Sequence, residues 1–163
     1  MKATVAPRNR THFINRLLLT GALVGVAGGG LGSGCSAPVN ELPGADGDLL
    51  AGMTPSQSHG VSQAARMTDG MIASEGDFWR TNMTSVVAGD GAAVWDLGSV
   101  QDIHCGALQG DNNDLYELAG SIDGTNFTPL WTAGPTGTPG MQLRLEQHID
   151  KQARYVRLTA RGG

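Results

Sequence analysis

The hydrophobic pattern changes character three times along the chain. Residues 17–27 (Leu-Leu-Leu-Thr-Gly-Ala-Leu-Val-Gly-Val-Ala) form an apolar run that follows basic residues. From 36 to about 60 neither a 3.6 nor a 2.0 apolar period is present, and Pro, Gly, Ser and Asp dominate. Beyond Val61 short alternating stretches recur between turn residues. Residues 62–67 predict a helical turn or two, stopped at Asp69-Gly70. Residues 92–97 predict a strand ended at Gly98-Ser99, and 102–108 a second, ended by Gly110-Asp111-Asn112-Asn113. Residues 115–121 and 126–131 flank Asp123-Gly124, a pair that tolerates the positive φ of tight hairpin turns. Residues 141–145 and 154–160 alternate with period two; in the latter Tyr155, Arg157 and Thr159 share one face, and Val156 and Leu158 share the other with Arg154. Closely spaced short strands with turn signals between them predict an all-β fold, an antiparallel β-sandwich.

Charge divides the chain more sharply than its average suggests. The 163 residues carry 11 Lys and Arg against 15 Asp and Glu, a net charge of −4. The first forty residues hold no acid and four of the cations, Lys2, Arg8, Arg10 and Arg16. A basic start, an apolar run shorter than the roughly 20 residues that span a bilayer, and small residues thereafter predict a secretory signal. Leu31-Gly32-Ser33-Gly34-Cys35 resembles a bacterial lipobox, although Gly32 stands where such motifs prefer Leu. That resemblance implies lipidation of Cys35 and attachment to a membrane through the lipid anchor; ordinary secretion, with Cys35 free or paired with Cys105, is the alternative. The expected organisation is a lipoprotein-type signal peptide over 1–34, a flexible tether over 35–60 and a folded domain over 61–163, large enough for one core. Without the leader, 7 Lys and Arg face 15 Asp and Glu, a net −8. No basic block remains, which argues against nucleic acid as a partner and favours neutral glycans or metal-bridged contacts.

Within the folded part, Thr68-Asp69-Gly70, Phe78-Trp79, Val94-Trp95-Asp96-Leu97-Gly98, the stretch from Tyr116 through Ser121-Ile122-Asp123-Gly124 to Phe127, and Ala153-Arg154-Tyr155-Val156-Arg157-Leu158 follow one another in a familiar order. Over about ninety residues, an extent within one ordinary domain, this series resembles discoidin domains. These are also called coagulation factor 5/8 type C domains, a galactose-binding-like group that includes the family 32 carbohydrate-binding modules. The resemblance implies a jelly-roll sandwich of five strands over three, with loops at one end that bind galactosides, phospholipid head groups or collagen. It also implies a structural calcium at the first Asp-Gly, here Asp69. Relatives continue past the Arg-Tyr-Val-Arg-Leu stretch with a further strand, so the expected sandwich lacks its last strand.

The candidate ligand residues are Trp79 with Arg80, an aromatic plane beside a fork of donors, and Asp111, Asn112, Asn113 and Asp114, whose amides and carboxylates suit sugar hydroxyls. Each group has a structural alternative: Trp79 as core, and the 111–114 loop as Asx turns holding their own backbone. Trp95 and Trp131 read as core, and Cys105 as a buried thiol. No nucleophile elbow, phosphate loop or spaced histidine pair is present. The expected function is therefore a non-catalytic envelope lipoprotein presenting a binding module to carbohydrate or another cell-surface ligand, with calcium as the one candidate cofactor. The alternative is an accessory or structural fragment of a longer envelope protein or carbohydrate-active enzyme.

Overall fold

The computed structural model describes residues 11–21, 48–78 and 85–161. Its strands are β1 (Thr11–Gly21), β2 (Gln57–Ser62), β3 (Ser85–Asp111), β4 (Leu115–Ser121), β5 (Thr128–Ala133), β6 (Met141–Glu146) and β7 (Lys151–Arg161), with a single 3-10 turn at Ala64–Met67. The fold is all-β, as the alternation predicts. Sandwich packing follows from β3, which is long enough to serve two sets of neighbours. Residues 92–94 of β3 lie between β2 and β7, and 106–111 pair with β6. Residues 97–100 intervene unpaired with β7 before that register resumes at Gln101 opposite Ala153. The two short strands expected at 92–97 and 102–108 are thus halves of one bent strand.

One side of the β7 alternation fills the core. Val156 and Leu158 are buried together with Trp95, Leu118, Ala93 and Ala153. Arg154, which strict alternation puts on that side with Val156 and Leu158, is instead half-buried, because the β3–β7 register shifts between Asp96–Tyr155 and Gln101–Ala153 and Ala153 fills the core; Arg154 makes a bidentate pair with Asp96, Nε to Oδ1 at 2.9 Å and Nη2 to Oδ2 at 3.0 Å, across the ladder. That hydrogen bond, with a second from the Gly98 N–H, holds the Asp96 carboxyl down at about 2. Because the folded value lies below the unfolded one, the contribution to stability is complete above about pH 4 and is lost as pH falls towards 2. Acid titration monitored by tryptophan fluorescence is expected to show a loss of stability in that window, and Asp96→Asn to flatten it; an unchanged profile in the variant would refute the assignment.

The folded unit starts earlier than Val61. Leu50 is fully buried in the core, the Asp48 carboxylate accepts the Leu50 N–H at 3.0 Å, and β2 pairs with β3 from Gln57 opposite Val94 to Ser62 opposite Val86. The tether expected over 35–60 therefore does not extend past Asp48. Local sequence concealed this because β2 carries no inward apolar alternation; its side chains are almost all exposed and it is held by ladder bonds. Residues 11–21, expected in the export signal, run alongside β3, with Leu17 opposite Leu108 and Thr20 opposite Cys105. Cys105 is disulfide-bonded, not the free thiol expected. Cys35, the other cysteine of the sequence, lies outside the described residues. Among the described residues no helix is long and apolar enough to cross a membrane.

Candidate functional site

Strand register assembles a site on the outer face of the sheet. Gln57 stands opposite Val94 and Val94 opposite Arg157; one step along, His59 stands opposite Ala92 and Ala92 opposite Thr159. Period two puts these six residues on one face while Ala93, Trp95, Val156 and Leu158 face the core. The β4–β5 loop, residues 122–127, forms the neighbouring wall. Together Gln57, Ser58, His59, Ala92, Val94, Gly124, Thr125, Phe127 and Arg157 line an open cleft of about 520 Å³. Its floor is apolar at Ala92 and Val94, and its rim carries an amide, hydroxyls, an imidazole and a guanidinium.

Asp123 makes the loop wall rigid. Its Oδ1 accepts the N–H groups of Thr125 and Asn126, both at 2.8 Å, and the Ser121 hydroxyl at 2.9 Å, while Oδ2 accepts the Asn126 amide at 2.7 Å. Donors converging on the anion, the Asn126 backbone and side chain foremost, hold this carboxyl well below the ordinary carboxylate range. Gly124 takes the positive φ of 75° anticipated for an Asp-Gly turn, although the loop has six residues and not two. The Arg157 guanidinium lies over the Phe127 ring with Cζ 4.3 Å from its centroid. His59 Nε2 is 2.9 Å from the Asp90 carbonyl oxygen, which fixes the ring at the rim.

The loop favoured from sequence has a different occupation. Asp111 and Asp114 are buried, at 9% and 5% exposure, beside buried Arg144 and Tyr116. The Tyr116 hydroxyl donates to Asp114 Oδ2 at 3.1 Å and accepts the Asp111 N–H at 2.8 Å. Asp111 Oδ1 accepts the Asn112 N–H at 2.9 Å, and Asn112 Oδ1 the Gly140 N–H at 3.3 Å. Arg144 donates to the carbonyls of Gly110, Asp111, Gly134 and Gln142 at 2.6–3.1 Å. Burial raises the Asp111 carboxyl and the Tyr116 hydroxyl above their ordinary values. Three of the four loop residues thus close the β3–β4 connection, and only Asn113 is exposed. This loop and 122–127 lie at opposite ends of β4, about 20 Å apart at 3.3 Å per residue.

Trp79 and Arg80 lie outside the described residues, and the neighbouring Phe78 is exposed. Asp69 is exposed, with Oδ1 accepting the Met71 N–H at 2.9 Å. No group of three His, Cys, Asp or Glu that could hold a metal occurs among the described residues. Calcium takes six to eight oxygens, of which Asp69 would supply one carboxylate, already accepting the N–H of its own turn, and nearby backbone carbonyls the rest. Sequence reading missed the outer cleft because its residues come from β2, β3, β7 and the 122–127 loop. The one legible signal was the shared face of Tyr155, Arg157 and Thr159.

No known protein-family profile matches the chain, and no curated protein does. Among solved structures, a truncated AlyQ with CBM32 and alginate lyase domains is similar at 17% identity over 44% of this chain and 20% of that one, with a TM-score of 0.34. A glycoside hydrolase is similar at 18% identity over 46% of this chain and 17% of that one, with a TM-score of 0.35. The chain thus spans a fifth or less of the length of these structures.

Proposed function

We propose that this chain is a non-catalytic carbohydrate-binding module of the cell envelope and that the outer-face cleft is its sugar site. The observation that carries this reading is the juxtaposition, in one open cleft, of the Phe127–Arg157 stack, an apolar floor and the polar side chains of Gln57, Ser58, His59 and Thr125. A sugar presents C–H patches and paired hydroxyls, and such a wall meets both: apolar surface packs the ring faces, and the rim groups exchange hydrogen bonds with the hydroxyls. The resemblance of the sequence to family 32 carbohydrate-binding modules supports the same class. A glycan array probed with the full chain is expected to show binding that Phe127→Ala weakens at least tenfold; absence of binding to every sugar by folded protein would overturn the proposal.

Export fits both the basic and apolar start of the chain and the disulfide at Cys105, since such bonds persist in oxidising compartments. The anchored form requires a thioether at Cys35, and with two cysteines in the sequence a lipid on that sulfur and the disulfide at Cys105 are alternatives. Labelling with palmitate is expected to mark wild type and not Cys35→Ala; equal label in both would exclude the anchor and leave the secreted, disulfide-bonded form.

A further inference from the structure

The segment that reads from sequence as an export leader is also a strand of the folded domain. Arg16 and the first five residues of the apolar run stand opposite β3: Arg16 with Gln109, Leu17 with Leu108, Leu18 with Ala107, Leu19 with Gly106, Thr20 with Cys105 and Gly21 with Ile103. Residues Gly106 to Gly110 pair with β6 as well, so β1 and β6 take opposite edges of β3, and β1 closes the edge that β6 leaves. That stretch of β3 suits a constant neighbour. Residues 105–111 are all buried, and no Lys or Pro stands between Ile103 and Asp111 to keep the edge from pairing.

A second tie is covalent. Cys105, opposite Thr20, is disulfide-bonded, and Cys35 is the one other cysteine of the sequence. Lipidation needs the Cys35 sulfur as a thiolate, the reactive form of the group. It attacks the glyceryl carbon of phosphatidylglycerol; a C–S bond forms, a C–O bond breaks, and glycerol phosphate leaves with the proton of the thiol. A sulfur already in a disulfide cannot take that step, and Cys105, at 5% exposure, is shielded from external thiols that would reopen the bond. The strand and the disulfide therefore hold the two parts of the leader that processing needs free.

A stretch paired with β3 cannot at the same time be engaged by an enzyme of the membrane, so the two states compete. Resting on the export reading above, we infer that folding gates the processing of this chain: the β3 edge docks residues 11–21, the disulfide takes Cys35, and a chain that folds and oxidises before export is barred from lipidation. The full chain is presented to phosphatidylglycerol vesicles carrying a diacylglyceryl transferase in three states: freshly diluted from urea with reductant, folded and reduced, and folded and oxidised. Lipid transfer is expected at least tenfold faster in the first than in the second, and absent in the third. Equal rates in the first two would overturn gating by the strand and leave the anchor standing; transfer to the oxidised chain would refute the role of the disulfide; transfer in none would overturn the anchor and the gating together. Trypsin reads the seat of the strand without lipid. Cleavage after Arg16 is expected at least tenfold slower in folded wild type than in Leu19→Pro, whose proline removes a backbone donor from the strand. Hydrogen exchange on the wild type alone gives the same reading: amides of Leu17 to Gly21 that exchange as fast as in the urea-unfolded chain would show that the segment is not seated and refute the inference.

Discussion

Arg144→Ala is expected to destabilise the domain by about 3–5 kcal/mol, the range for removing one partner from a buried charged cluster. Arg144 is 8% exposed as a residue, and its guanidinium serves four backbone carbonyls and lies over the Tyr116 ring at 5.3 Å. Burial lowers the Arg144 value, and the charges of Tyr116, Asp114 and Asp111 oppose that shift. Truncation leaves carbonyls of the β3–β4 and β5–β6 connections without donors and two buried aspartates without their nearby cation. Arg144→Lys keeps a charge but cannot fork to several carbonyls, so an intermediate loss is expected. Urea denaturation reads both; a loss below about 1 kcal/mol for the alanine variant, the level of an exposed pair, would show that the cluster is not structural.

Gly110→Ala is the second large effect. A Cβ at Gly110 would sit 2.6 Å from both Cζ and the hydroxyl oxygen of Tyr116, closer than packed atoms come. Tyr116 is 1% exposed and its hydroxyl is held at both ends, by Asp111 N–H and Asp114, so the ring cannot yield without breaking those bonds. Overpacking costs about 1–3 kcal/mol, and loss of the two hydrogen bonds adds about 1 kcal/mol each. The coupling is the sharper check: in a Tyr116→Leu background, which lacks the clashing hydroxyl, the penalty of Gly110→Ala is expected to fall by at least half. Strict additivity of the two substitutions would refute the close approach as the cause.

Both variants act on residues that local sequence presents as a polar binding loop. Asp111, Asn112 and Asp114 look solvated because their neighbours in sequence are polar, yet Arg144 arrives from β6 through the pairing of Leu108 to Asp111 with Arg144 to Met141. No local period encodes that meeting. The same blindness hid β2, whose place depends on the open edge of β3, and Leu50, whose burial depends on a core assembled from strands beyond it.

The sequence by itself determined the all-β class, the turn at Asp123-Gly124, and the division of β7 into a core face and an Arg157 face, because alternation and turn chemistry are properties of neighbouring residues. Tertiary structure alone decided that β3 is one bent strand, that the 111–114 loop is internal, and that Gln57, His59, Phe127 and Arg157 share a cleft. These depend on register between strands up to about a hundred positions apart, which ladder hydrogen bonds and core packing fix only when the whole sheet forms.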